Sequence, residues 1–151
     1  MKKKLIILSL ILFFVGNISS QEKPNQQNNL PNTKIAEVIN TEIVINFDFN
    51  DCTIKKTFFE SMNKFIKNLS NTEQYNVLIT GHTDDIGSDE DNKELGLCRA
   101  NAVKKYFIEK GIDTKRISII SKGEKVPIAD NNIDDGAYKN RRVVINLIEK
   151  K

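Results

Sequence analysis

Between positions 83 and 99 the chain places a threonine and an aspartate, then an asparagine, then an arginine: Thr83, Asp84, Asn92 and Arg99, with Gly87 in the loop between them. An ionised aspartate offers two acceptor oxygens, and arginine offers a planar fork of donors. Held on two different elements, such opposite charges can clamp a zwitterion, an ammonium favouring Asp84 and a carboxylate Arg99. The same residue types also make internal ion pairs or solvated surface charges, which are common and weak. Residue types alone leave these readings open. His82, the sole histidine, stands beside this run. No serine or cysteine nucleophile with an orienting third group accompanies it, so an enzyme is not expected. Two isolated cysteines, Cys52 and Cys98, fall short of the roughly four spaced ligands of a structural zinc site. Neither a metal nor a cofactor is expected.

The elements that must carry these residues follow from hydrophobic period. Residues 42–49 (EIVINFDF) put Ile43, Ile45, Phe47 and Phe49 on one face at period two, which predicts a strand ended by a turn at Asn50 and Asp51. Residues 53–69 carry Ile54, Phe58, Met62, Phe65, Ile66 and Leu69 at helical spacing. Residues 75–80 (YNVLIT) read as a strand buried on both faces and closed by Gly81. After a polar loop, residues 92–110 predict a second helix with Leu95, Arg99, Ala102, Val103 and Tyr106 on one side and Gly111 just past its end. Strands are predicted at 116–120 and 142–148, with 121–139 as a loop. The β-α-β-α-β order with a further strand implies an α+β fold: a two-layer sandwich whose mixed four-stranded sheet carries two main helices. Thr83 and Asp84 would then lie where a strand gives way to a loop, and Arg99 about two turns into a helix.

The N-terminus has a different character. Lys2, Lys3 and Lys4 precede an apolar run at 5–15, and small or polar residues lead up to Gln21. This pattern predicts a secretory signal peptide over 1–20, cleaved after Ser20, with an uncleaved anchor as the alternative. No cysteine lies near that cleavage point, so a lipid anchor is not expected. A polar linker is expected over 21–40, since 21–32 is too rich in Gln, Asn, Pro, Glu and Lys to offset its ordering entropy by burial. The folded domain is expected over 41–151. With 39% apolar and 28% charged residues the whole is ordinary globular composition, room for one core. Removing the leader takes three lysines from the 23 basic residues, leaving 20 against 20 acidic ones. No basic excess survives, and nucleic acid is excluded as a partner. Export exposes Cys52 and Cys98 to an oxidising compartment where they could pair, although spacing does not decide it.

Phe47-Asp48-Phe49-Asn50, Gly81-His82-Thr83-Asp84, Gly87, Asn92, Leu95, Arg99-Ala100, Val103, Gly111, Gly123-Glu124, Pro127 and Asn140-Arg141-Arg142-Val143 together resemble the OmpA-like C-terminal domain. The match runs from Ile43 to Ile148. The resemblance implies noncovalent binding of the diaminopimelate-containing stem peptide of peptidoglycan, anchoring an envelope component to the cell wall. It implies a periplasmic protein, associated with the outer membrane. By position it assigns the charged ends of the diaminopimelate to Asp84 and Arg99, and adds Thr83, Asn92 and Arg141, with Asn50 at the edge and Arg142 as the competing distal arginine. Read without the resemblance, Asn50 is equally a turn residue, Asn92 a helix cap and Arg141 a solvated charge. The chain departs from the family pattern at Gly96, where a serine usually follows the leucine, and at Cys98. A glycine within a helix costs roughly 1 kcal/mol relative to alanine, so looser first turns and a less firmly held Arg99 are expected. Two alternatives stand beside wall binding: a fold reused to recruit an envelope protein, and a membrane-tethered form. A homodimer is compatible with all of them.

Overall fold

The computed structural model describes residues 42–150, so the expected leader and linker lie outside the described residues. Four strands and three helices follow in the order β1 (Glu42–Asn46), α1 (Phe59–Ser70), β2 (Tyr75–His82), α2 (Asp89–Glu109), β3 (Ile117–Gly123), α3 (Asp134–Asn140) and β4 (Arg142–Glu149). The sheet order is β1-β4-β2-β3. β4 lies antiparallel to both of its neighbours, whereas β2 and β3 are parallel and therefore need the crossover that α2 supplies.

Alternation decides the buried face. Register aligns Ile43, Ile145, Ile79 and Ile119 across all four strands. Met62, Phe65, Ile66 and Leu69 from α1 and Ala100, Val103 and Phe107 from α2 pack against that row to complete the core. The architecture is the mixed, two-layer α+β sheet expected from period. The other face of the sheet is partly open, with Val44, Ile120 and Ile148 exposed.

Three local expectations are corrected. First, α1 starts at Phe59, after a 3-10 turn at Lys56–Phe58, and not at Thr53. Asp51 Oδ1 accepts from both the backbone N–H (2.8 Å) and the hydroxyl (2.7 Å) of Thr53, a local turn that competes with helix. Second, α2 starts three residues earlier than the apolar stripe suggests, because Ser88 caps it by accepting from the Asp91 N–H (3.1 Å), with Asp89, Glu90 and Asp91 in the favourable first turn. Its buried stripe is Asn92, Gly96, Arg99, Ala100, Val103 and Phe107. That stripe is rotated from the predicted one because polar residues share it. Third, residues 121–139 are not all loop. They contain most of α3, whose C-terminal Asn140 is fully buried and ties down the preceding turn, accepting from the N–H groups of Ile128 and Ala129 and donating to the Ala129 carbonyl.

α2 runs unbroken through Gly96. A Cβ on Gly81 would stand 1.8 Å from the Gly96 carbonyl oxygen, and a Cβ on Gly96 would stand 2.3 Å from Ser121 Oγ. The missing side chains let helix backbone rest on strand backbone, and Ser121 fills the space left over.

Candidate functional site

The site forms where β1, β2 and β4 deliver their ends to α2. β2 ends at His82, and the next two residues, Thr83 and Asp84, are each 2% exposed. Gly123 at the end of β3 accepts from the Thr83 N–H at 3.0 Å, which fixes the start of the loop. Among the described residues the buried Thr83 hydroxyl has no hydrogen-bond partner. Asp84 Oδ2 accepts from Arg141 Nη1 at 2.9 Å, an ion pair whose side chains are both largely buried. Arg141 also donates from Nε to the Phe47 carbonyl (3.3 Å) and lies over the Tyr138 ring. Arg142 points elsewhere, donating to the carbonyls of Asn140 and Val126. Of the two candidate distal arginines, Arg141 is the one beside Asp84.

Arg99 is the largest fully buried side chain. Its guanidinium donates from Nε to the Asp51 carbonyl (2.9 Å), from Nη1 to the His82 carbonyl (2.9 Å) and from Nη2 to the Asp48 carbonyl (3.0 Å). It also faces the Phe47 ring, 5.4 Å from the centroid. The ion partner of Asp84 is therefore Arg141, while Arg99 is latched to backbone. These bonds engage three of its five N–H groups and all three of its nitrogens. Burial lowers its pKa to about 10; the nearby Asp84 carboxylate opposes that shift and Arg141 adds to it. Arg99 stays protonated at neutral pH. Asp84, Arg99 and Arg141 thus make a buried cluster with one positive charge in excess.

Beside the cluster an open cleft of about 620 Å³ is walled by Phe49, Asn50, the Cys52 and Cys98 pair, Ile86, Gly87, Asn92 and Leu95, with Asp91 and Glu94 supplying acidic groups. Of the six site residues expected from the resemblance, Asn50 and Asn92 line this cleft. Asn50 is exposed and holds a left-handed backbone (φ 49°), which asparagine tolerates better than most residues. Asn92 is buried and donates from Nδ2 to Glu124 Oε2 at 2.5 Å; the helix cap is Ser88 instead. Thr83, Asp84, Arg99 and Arg141 are not part of the cleft wall, and belong to the buried cluster that shares the 47–52 segment with it.

Sequence reasoning missed several contributors. Cys52 and Cys98 form a disulfide in the cleft wall. Their count made pairing conceivable, but nothing in their spacing placed them at the site. Glu124, which holds Asn92, was visible only as half of a Gly-Glu pair. The carbonyls of Asp48, Asp51 and His82 have no signature in residue types at all. Phe49 and Ile86, 58% and 59% exposed, flank the cleft where alternation alone would have buried Phe49.

His82 is buried, its Nδ1 has no partner among the described residues, and burial, with the charges of Arg142 and Lys122, lowers its pKa from 6.5 to about 4. The folded state therefore resists a proton that the unfolded chain accepts. Its contribution is fully present above pH 6.5 and is lost as pH falls toward about 4. Unfolding free energy from urea titrations should drop by up to roughly 3 kcal/mol over that window, beyond what a His82→Gln variant loses. Parallel curves for the two proteins would contradict this.

The chain belongs to the OmpA family, whose model matches residues 46–141. It is 33% identical over 109 residues to outer membrane porin F of Pseudomonas fluorescens, covering 72% of this chain and 33% of that one. It is 34% identical over 101 residues to the peptidoglycan-associated lipoprotein of Buchnera aphidicola, covering 67% of this chain and 58% of the relative. The chain thus spans less than two thirds of the length of these curated relatives. The crystal structure of the peptidoglycan-associated lipoprotein from Burkholderia pseudomallei superposes with a TM-score of 0.67 at 26% identity, over 80% of this chain and 98% of that one. Among the described residues no helix is long and apolar enough to cross a membrane.

Proposed function

We propose that this domain binds peptidoglycan noncovalently, through the diaminopimelate-containing stem peptide, and so anchors an envelope component to the cell wall. The observation that carries the reading is the buried cluster of Asp84, Arg99 and Arg141 set beside an open cleft. Its excess positive charge favours a ligand carboxylate, with Arg141 as the more exposed donor and the fully buried Arg99 acting through its charge. Asp84 favours the adjacent ammonium, with Asp91 and Glu94 adding negative charge on the cleft wall. Thr83, whose hydroxyl has no partner among the described residues, and Asn92 and Asn50 would supply neutral hydrogen bonds. Relatives that carry this domain are named as peptidoglycan-associated or outer-membrane proteins, which supports the same reading and a periplasmic site of action. The reading is of a binding module and not of an enzyme.

Diaminopimelate differs from lysine by one carboxylate on the carbon bearing the distal amine, so wall chemistry tests the zwitterion directly. In cosedimentation the purified protein should pellet with diaminopimelate-type peptidoglycan and bind lysine-type peptidoglycan at least about tenfold more weakly, the worth of one charge-assisted contact of roughly 1.4 kcal/mol or more. Failure to pellet with the diaminopimelate wall would sink the reading. Equal binding to both walls would remove the zwitterion from it.

A further inference from the structure

We propose that the Cys52–Cys98 disulfide positions the ligand pocket and makes its affinity thiol-sensitive; this rests on the wall-peptide reading of the site. The bond joins the segment after β1 to the middle of α2, with Cα atoms 5.9 Å apart. It runs alongside the hydrogen bond from Arg99 Nε to the Asp51 carbonyl, so two successive residues of the loop, 51 and 52, are tied to two successive residues of the helix, 99 and 98. The same loop gives the Asp48 carbonyl to Arg99 and places Phe49 and Asn50 on the cleft wall.

The loop is anchored at one end by the buried Phe47, whose N–H donates to the Arg141 carbonyl at 2.9 Å, and turned at the other by the Asp51–Thr53 bonds; its remaining ties are weak. The Asp51 N–H to Asp48 carbonyl bond is long at 3.4 Å, and the Lys55 to Asp48 ion pair is exposed and so contributes little. Asn50 holds a left-handed backbone in the middle of the segment. Without the covalent tie the 48–52 segment would be held to α2 chiefly by the bonds it makes to the guanidinium that it orients. Loop and guanidinium would then relax together, and the ligand would have to order both on binding.

The bond is also reachable. Cys98 is exposed and Cys52 half-buried, and both border open clefts. A small dithiol can attack as thiolate at Cys98 Sγ, forming a mixed disulfide and releasing the Cys52 thiolate, which takes up a proton. Its second thiolate then displaces Cys98, which is protonated in turn. Two electrons and two protons pass to the protein, and the dithiol leaves as its own disulfide.

The test compares the oxidised protein, the same sample reduced with dithiothreitol, the sample reoxidised, and a Cys52→Ser/Cys98→Ser variant. Each is titrated against diaminopimelate-type sacculi, with amide hydrogen exchange followed in parallel at a temperature where all forms are folded by circular dichroism. Reduction should weaken binding about five- to tenfold and reoxidation should restore it, while the double serine variant binds weakly whether or not dithiothreitol is present. The Thr53 amide, bonded to Asp51, should exchange at least tenfold faster on reduction, with β2 and β4 unchanged. Equal affinity of oxidised and reduced protein overturns the proposal and leaves the pocket reading intact. If the oxidised protein does not bind sacculi, the pocket reading fails. The exchange data then decide the positioning role by themselves, and an unchanged Thr53 amide overturns it.

Discussion

Replacing Arg99 by methionine should lower the unfolding free energy by roughly 3–5 kcal/mol, the range seen when one partner of a buried charged network is removed. Methionine fills most of the volume, so the loss is polar. The carbonyls of Asp48, Asp51 and His82 each lose a charged donor; the first two are only part-buried, and the buried His82 carbonyl carries the largest share, since an unsatisfied buried acceptor costs about 1–3 kcal/mol. Relief of the desolvation that lowers the Arg99 pKa to about 10 returns part of this, which keeps the total below the sum of the separate losses. Asp84 keeps Arg141, so its charge is not orphaned. Lysine at position 99 should recover little, because a compact ammonium cannot reproduce a fork aimed at three separate carbonyls. Urea unfolding of the oxidised proteins decides the matter: a methionine variant within 1 kcal/mol of wild type would mean that the three bonds contribute nothing net.

The Arg99 latch is where the sequence stops being legible. Period two in 42–47 and the helical stripes ending at Leu69 and at Tyr106 revealed the layers, because apolar burial is written in residue type and spacing, although β1 stops at Asn46 and leaves Phe49 exposed. The resemblance around Gly81 and Asn140 brought Asp84 and Arg141 onto one short list, and the structure sets them 2.9 Å apart. The hidden part is backbone. An arginine on the buried face of a helix reads as a surface charge until one knows that three carbonyl groups from β2 and the 48–51 turn converge on it. Gly96 reads as a propensity penalty until Gly81 is seen beneath it. The apolar stripe misplaced the start of α2 because the cap at Ser88 and the buried Asn92 are polar. α3 was missed for a related reason, since Asp134, Asp135 and Gly136 carry no apolar period and the helix is held in place largely through Asn140. In each case a tertiary contact overrides a local propensity.

Changing Asp84 to asparagine should leave a folded protein whose affinity for a soluble diaminopimelate-bearing stem tripeptide falls about a hundredfold or more. Asparagine preserves size and one acceptor, so the lost quantity is charge. Truncating one partner of a buried charge pair at an interface typically costs 2–5 kcal/mol, and 2.8 kcal/mol corresponds to a hundredfold. Two effects act in the same direction. The ligand ammonium loses its anionic partner, and Arg99 and Arg141 lose the carboxylate that now offsets their mutual repulsion, so the pocket itself is less well ordered before binding. Because the charges are buried, added salt should change the wild-type affinity only slightly, whereas a ligand held by Asp91 and Glu94 at the open rim would be screened strongly. Calorimetric titration of wild type and Asp84→Asn at low and at physiological ionic strength separates these cases. A folded variant that binds within threefold of wild type would move recognition out of the buried cluster and onto the cleft wall.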